Sequence, residues 1–433
     1  MVIKNPNNID IPEYLNEEFF VAALEEGLRE IKIAVHEISF EWATKPGDNY
    51  CSRIYRVSVA YERYVVDQEQ SMREQIRLIV KTIPINEDMR FLADVGVFLK
   101  EKQTYLDILP RLEILVDGQK FGAKCFYAVK APIQTIVFND LKVDGFTVAS
   151  RQDQLDWAHS ELILQNLGQL HATSMVLAKR DSEITKRFTL GMLCEETIIK
   201  SDKFFNLFGS TLKSLAINAE NWPGFEKIAQ KLHYLHANFK PICAHMADRR
   251  DNDRIIVMNH GDMWTTNFMF AYDDSRQPEK PTRSIFVDFQ LNFYGSPGCD
   301  LNFLLNTSIR LNLIEDRRED LINAYYKSFS ETLEFLHYDK IPTLEDLKFE
   351  LRARELYGLF ALFGFLPIVT MPTEWSEEKV ADSMTDEELL QKKFQKLFAQ
   401  ERLQAQLKYS LKRLEYMGVL DEFYVKPSEN GCV

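Results

Sequence analysis

The stretch Asn259-His260-Gly261-Asp262-Met263-Trp264-Thr265-Thr266-Asn267-Phe268, followed after a turn by Ile285-Phe286-Val287-Asp288-Phe289-Gln290, decides how the rest of the chain is read. An aspartate and an asparagine stand five residues apart on a loop flanked by strand-like runs, and a second aspartate ends the later apolar run. Phosphoryl transfer to a hydroxyl needs these groups. One carboxylate accepts or orients the proton of the attacking oxygen, while an amide oxygen and another carboxylate hold Mg²⁺ on the nucleotide phosphates. Asp262 is the expected base, with Asn267 and Asp288 as expected metal ligands. Hard oxygen donors suit Mg²⁺, and no Cys/His set calls for zinc. The plainer alternative is that the same side chains cap a turn and end a strand.

Outward from this stretch, the chain changes character once. Before it, Ile33 to Trp42, Ser52 to Tyr61 and Gln75 to Ile83 are rich in β-branched and aromatic residues and are separated by turn-formers such as Lys45 to Asn49, the pattern of an antiparallel meander. Glu17 to Ile31 reads as a short helix, and Arg90 to Leu109 has apolar residues at helical spacing, ending at Pro110. Two further strands are expected around Gly122 to Val129 and Thr135 to Phe138. From Asp153 onward the pattern is helical: Gln154 to Leu177, Phe225 to Phe239, Leu344 to Phe365 and Glu387 to Met417, with Gly418 placed for a helix C-cap. One β island interrupts it, formed by Ile255 to Met258, Phe268 to Tyr272 and Ser284 to Phe289. The class is therefore α+β, a small antiparallel β lobe over residues 1–141 followed by a large, mostly helical lobe over 142–433.

Within the first lobe, Lys81 sits inside Leu78-Ile79-Val80-Lys81-Thr82-Ile83, where its neighbours want burial, so it needs an anionic partner. Glu101 shares a helix face with Phe98 and Tyr105, which turns a carboxylate toward the apolar side. A Lys81–Glu101 pair would satisfy both; the alternative is a snorkelling lysine on an edge strand and a half-exposed glutamate.

The wording HGDMWTTNFMF followed by VDFQLNFYGSPGCDL resembles the motif shared by choline kinases and aminoglycoside phosphotransferases. It resembles more closely the HGDxWxxNxxF and DFQ signature of the ecdysteroid kinase-like family. The resemblance runs from the Asn49-Tyr50 turn to the closing helix at Tyr416 to Leu420, and it implies a two-lobed protein-kinase-like fold and an ATP- and Mg²⁺-dependent kinase acting on a hydroxyl. It also implies that Lys81, paired with Glu101, faces the α- and β-phosphates. Asn49 and Ser52, in Gly47-Asp48-Asn49-Tyr50-Cys51-Ser52, would belong to the phosphate-covering turn. The backbone from Asn139 to Leu141 would meet the adenine edge; the family more often has an acidic residue where Asn139 stands. Asp300 and His260 would support the catalytic loop, His171 would pack on a long helix, and Trp264 would either wall the acceptor pocket or anchor the loop.

Composition bounds the partners. With 52 Lys and Arg against 65 Asp and Glu the formal charge is −13, the wrong sign for a nucleic-acid or anionic-membrane surface. The amino terminus is polar, the six cysteines are scattered, and Leu359 to Val369 is too short to span a bilayer. A cytoplasmic protein without membrane or nucleic-acid partners is expected. The expected substrate is small and hydroxylated, an ecdysteroid or a similarly bulky lipophile, with a role in detoxification. The Leu-, Phe- and Tyr-rich segment Leu344 to Met371, with Gly191 to Ile242, would frame its pocket. Three alternatives stand beside this: a choline- or aminoglycoside-like acceptor favoured by the negative charge, a catalytically silent binding protein, and a protein kinase. HGD in place of HRD, DFQ in place of DFG, and no activation segment between Asp288 and Asp300 disfavour the last. His233 and His236, three apart on a helix, have metal-ligand spacing but no third ligand.

Overall fold

The computed structural model describes residues 2–30, 32–44, 52–65, 70–83, 96–193, 201–247, 253–274, 276–372 and 387–421. The chain divides into two compact units. The first comprises Met1–Thr147, Met269–Ser275 and Thr282–Gln290, and the second Val148–Phe268, Arg276–Pro281 and Leu291–Val433.

The first unit is built on a six-stranded sheet. Its strands are β1 (Val2–Lys4), β2 (Ile33–Trp42), β3 (Arg53–Val65), β4 (Gln70–Ile83), β5 (Cys125–Val129) and β6 (Gln134–Asn139), in the spatial order β1-β2-β3-β4-β6-β5. All pairs are antiparallel except β1 with β2. Alternation along the strands sorts Phe40, Tyr55, Val57, Val59, Leu78 and Val80 into one core, completed by Phe20, Ala23 and Leu24 of helix α1 (Glu17–Leu28). Asn16 caps α1 by accepting the Phe19 N–H, and Arg29 ends it in the left-handed region. Since side chains alternate, Lys81 projects from the sheet face opposite to Leu78 and Val80.

The helical run after β4 does not stop at Pro110. Helix α2 (Val97–Gln103) opens into a π-turn over Thr104–Ile108 and continues as α3 (Leu109–Leu115), with Pro110 in the first turn of α3. Leu109, just before the proline, closes the wide turn by donating its N–H to the Thr104 carbonyl five residues back, and the missing proline N–H falls at this shift in the ladder.

The second unit follows the short strand β7 (Thr147–Val148) and is mainly helical. Its elements are α4 (Trp157–Arg180), α5 (Glu183–Arg187), α6 (Asp202–Glu220), α7 (Glu226–Ala237), α8 (Phe239–Ala247), β8 (Val257–Asn259), and, further on, β11 (Phe293–Gly295), α9 (Gly298–Thr307), α10 (Leu311–Asp316), α11 (Arg318–Phe335), α12 (Leu344–Ala353), α13 (Glu355–Gly364), α14 (Leu366–Thr370), α15 (Glu387–Phe398) and α16 (Glu401–Tyr416). Long α4 packs along α11, and α9 packs on α12 and α13. Every residue of α9 and α13 is buried.

The expected single β island is in fact two structures. β8 pairs antiparallel with β11, a three-residue strand too short for its alternation to be read from sequence. Strands β9 (Phe268–Ala271) and β10 (Arg283–Phe286) join β7 in a separate sheet, and Met269, Ala271 and Ile285 share a core with Leu141 and Phe146 of the first unit. β10 also ends earlier than expected, because Asp288 takes φ +69° and no strand passes through that conformation.

Candidate functional site

In the first unit Lys81 is almost fully buried, and its Nζ lies 2.8 Å from both Oε1 and Oε2 of Glu101 and 2.5 Å from Oδ1 of Asp288. The strand pairing explains its position: Lys81 stands between Ile54 of β3 and Ile136 of β6, so it is central in the sheet rather than on an edge. Glu101, also buried, comes from α2. Two carboxylates around one ammonium leave a surplus negative charge. Burial alone would lower the Lys81 ammonium, but Asp288 and Glu101 outweigh it and hold the group above its ordinary value. Burial pushes the Glu101 carboxyl up to about 7, with Lys81 opposing and Asp288 adding to the rise.

Asp288 is held in its left-handed conformation by contacts on three sides. Its backbone N–H donates to the Tyr105 hydroxyl at 3.3 Å, Gln290 Nε2 donates to its Oδ2 at 3.2 Å, and Lys81 donates to its Oδ1. A strained backbone maintained by its surroundings is characteristic of functional positions. Tyr105 was legible as a neighbour of Glu101 on one helix face. Its hydroxyl contact to Asp288, 183 residues away, was not.

Ser52 stands directly before β3, while Asn49 lies outside the described residues. Asn139, the last residue of β6, has its side chain committed on two sides: Oδ1 accepts the N–H of Lys124, just before β5, at 2.7 Å, and Nδ2 donates to Asp144 of the following turn at 3.1 Å. Leu141 is buried, and its carbonyl accepts the Asp144 and Phe146 N–H groups. Between them Asp140 is buried and takes the Arg56 guanidinium at 2.7 Å, a pair 84 residues apart in sequence that local pattern could not reveal.

In the second unit the loop after β8 carries Asp262 and Asn267, both buried. Asn267 Nδ2 donates to the Asp262 carbonyl and to Asp262 Oδ2, each at 2.9 Å, and the backbone closes through Trp264 N–H to Asp262 O and Asn267 N–H to Trp264 O. A single 3-10 turn, Thr265–Asn267, thus fixes the side chains of both residues. Gly261 has φ +81°, and a Cβ there would lie 2.2 Å from the Leu291 carbonyl oxygen, so only glycine fits. Trp264 lies edge-on to Phe365 at 6.0 Å, which joins the loop to the aromatic side chains of α9 and α13.

Asp300, in the first turn of α9, is 1% exposed. Its Oδ2 accepts the His260 N–H at 2.6 Å and its Oδ1 the Gly261 N–H at 2.9 Å, while its own N–H donates to Asn259 Oδ1. The carboxylate therefore clamps the backbone immediately before Asp262. His260 is fully buried and serves this clamp through its main chain.

Each unit by itself offers hard oxygen donors of the kind magnesium takes: in the second, Asn267 uses Nδ2 on Asp262 and keeps its carbonyl oxygen, and in the first, Asp288 has carboxylate oxygens. Among the described residues no three His, Cys, Asp or Glu side chains converge as a cage. Donors this sparse suit an ion that takes most of its ligands from phosphate and water. His233 pairs with Glu220 at 2.7 Å.

Among solved structures, the chain is similar to a microcompartment-associated aminopropanol kinase at 13% identity, covering 92% of this chain and 100% of that one, with a TM-score of 0.32. No curated protein matches the sequence significantly. The model of the ecdysteroid kinase-like family matches residues 46–338, well over half of the chain, and the protein accordingly belongs to the ecdysteroid kinase-like family and is a small-molecule phosphotransferase with an alcohol acceptor.

Proposed function

We propose that the protein transfers the γ-phosphoryl group of ATP, with Mg²⁺, to a hydroxyl of an ecdysteroid or a similarly bulky lipophilic alcohol. The observation that carries the reading is the Asp262–Asn267 loop: a buried carboxylate whose orientation is fixed by an amide and whose preceding backbone is clamped by Asp300. Asp262 accepts the hydroxyl proton as the acceptor oxygen bonds to the γ-phosphorus and the bond to the bridging oxygen breaks, releasing ADP. Lys81, aimed by Glu101, orients the α- and β-phosphates. Asn267 and Asp288 would hold the magnesium ion, which when bound neutralises phosphate charge. Ser52 and Asn49 cover the phosphates, and the main chain from Asn139 to Leu141 meets the adenine. For Leu141 that role falls to its N–H, since its carbonyl is taken by the turn.

The lipophilic acceptor is supported by the aromatic side chains that adjoin the loop through Trp264. The formal charge of −13 favours a cationic acceptor instead. Label transfer from γ-labelled ATP to ecdysteroids, sterols, choline and aminoglycosides separates them. Labelled ecdysteroid or sterol is the expected product. Label confined to choline or an aminoglycoside overturns the lipophilic acceptor, and label confined to added protein substrates overturns a small-molecule acceptor.

A further inference from the structure

The carboxylate that clamps the catalytic loop is itself held by a chain of side chains from two helices. His171, in the middle of α4 and fully buried, places Nε2 at 3.3 Å from Asp300 Oδ2 and Nδ1 at 2.7 Å from the Tyr325 hydroxyl of α11. The direction of each bond follows from chemistry. An ionised carboxylate has no proton to give, so Nε2–H donates to Asp300; with Nε2 protonated, neutral imidazole accepts at Nδ1, and the Tyr325 O–H supplies that proton. Tyr325 is well suited to stay a donor, since burial, with Asp300 adding, pushes its phenol well above the ordinary value.

The same helix also holds the strand pair β8–β11. Ser174 Oγ, one turn beyond His171, accepts the Met258 N–H of β8 at 2.9 Å, and its carbonyl accepts the Tyr294 hydroxyl of β11 at 3.3 Å. α4 therefore holds the strand that enters the loop and the carboxylate that clamps it.

We propose that His171 is a positioning residue for the catalytic loop: its Nε2–H, kept in that tautomer by Tyr325, fixes Asp300 where it accepts the His260 and Gly261 N–H groups and so sets the backbone from which Asp262 projects. The effect on turnover rests on the kinase reading above; the effect on the loop does not. Asp300 without the His171 N–H would still be a buried carboxylate, but free to rotate away from one of the two amides. A residue that merely fills space would leave those amides unchanged.

Amide hydrogen exchange on the full chain reads this directly. Tyr325→Phe keeps the ring and removes only the proton that fixes the tautomer, His171→Leu removes the donor, and His171→Gln restores an N–H near the Nε2 position. Exchange at His260 and Gly261 is expected to quicken by about tenfold or more in Tyr325→Phe and His171→Leu and to return toward the wild-type rate in His171→Gln, while amides of α6 keep their rates. In MgATP turnover the first two variants lose kcat with little change in KM for ATP. Unchanged exchange at both amides, or a rise spread evenly over the second unit, overturns the proposal. Absence of any turnover in the wild type, with the exchange pattern as expected, removes the kinase reading and leaves the positioning role standing.

Discussion

Lys81 shows how one residue can be read from sequence and still be completed only by the fold. A lysine amid Leu78, Val80 and Ile83 must find an anion, and Glu101 was the nearest candidate with the right helix face. The second carboxylate, Asp288, arrives from 207 residues away and makes the trio net negative whenever both carboxyls are ionised. This has a consequence for pH. Glu101 is raised above its ordinary 4.5 to about 7, so its contribution to stability is complete below about pH 4.5 and is lost as pH rises through about 7. Lys81→Met removes the charge that opposes this rise, and the Glu101 carboxyl moves higher still. The variant is therefore expected to lose more stability at pH 8 than at pH 6, with a loss of up to about 3–5 kcal/mol once the carboxylate must ionise unpaired. Urea denaturation at the two pH values checks this, and an equal loss at both would mean that Glu101 is ionised throughout.

At the scale of elements, long amphipathic segments were legible and short or irregular ones were not. β2 coincides with its expected span, α4 lies within three residues of it at either end, and Gly418 takes the left-handed conformation expected of a C-cap, with φ +70°. No side-chain pattern marks a wider helical turn, so the π-turn at Thr104–Ile108 is invisible in the sequence and Pro110 looks like a helix end. Three-residue β11 escaped because alternation needs a longer run. Glycine positions with similar φ can differ in consequence. At Gly418 nothing lies within 4 Å of a Cβ, so Gly418→Ala is expected to cost only the left-handed strain of about 1–2 kcal/mol and to leave kcat intact. Gly261→Ala adds a collision with the Leu291 carbonyl to the same strain and displaces the loop that bears Asp262. It is expected to lower kcat by more than tenfold and to cost more stability than Gly418→Ala; thermal melts and steady-state rates on the pair give the comparison. Equal effects at the two sites would mean that the loop tolerates the displacement.

For the molecule as a whole, the α+β class follows from the single change of periodicity near Asp153, and the chain divides into a sheet-based unit and a helical unit. What the sequence could not show is that β9 and β10, which follow the catalytic loop, fold with the first unit. Their hydrophobic partners, Leu141 and Phe146, are more than a hundred residues upstream. The candidate residues divide in the same way. Lys81, Glu101 and Asp288 belong to the first unit and Asp262, Asn267 and Asp300 to the second; local pattern singles out all of these but Asp300, which only the resemblance points to. Their long-range supports, Tyr105, His171 and Tyr325, needed the structure. Among the described residues no helix is long and apolar enough to cross a membrane. The central claim is that Asp262 acts on the proton of the acceptor hydroxyl while the nucleotide is held elsewhere. Asp262→Asn keeps the size of the side chain and removes its basicity, so the direct measurement is Mg²⁺-dependent turnover of ATP with a productive acceptor, together with ATP affinity, for wild type and variant. The account predicts a fall in kcat of about 10²-fold or more with ATP affinity within about twofold. A variant that turns over at the wild-type rate, or one that loses ATP binding and activity in equal measure, would contradict it.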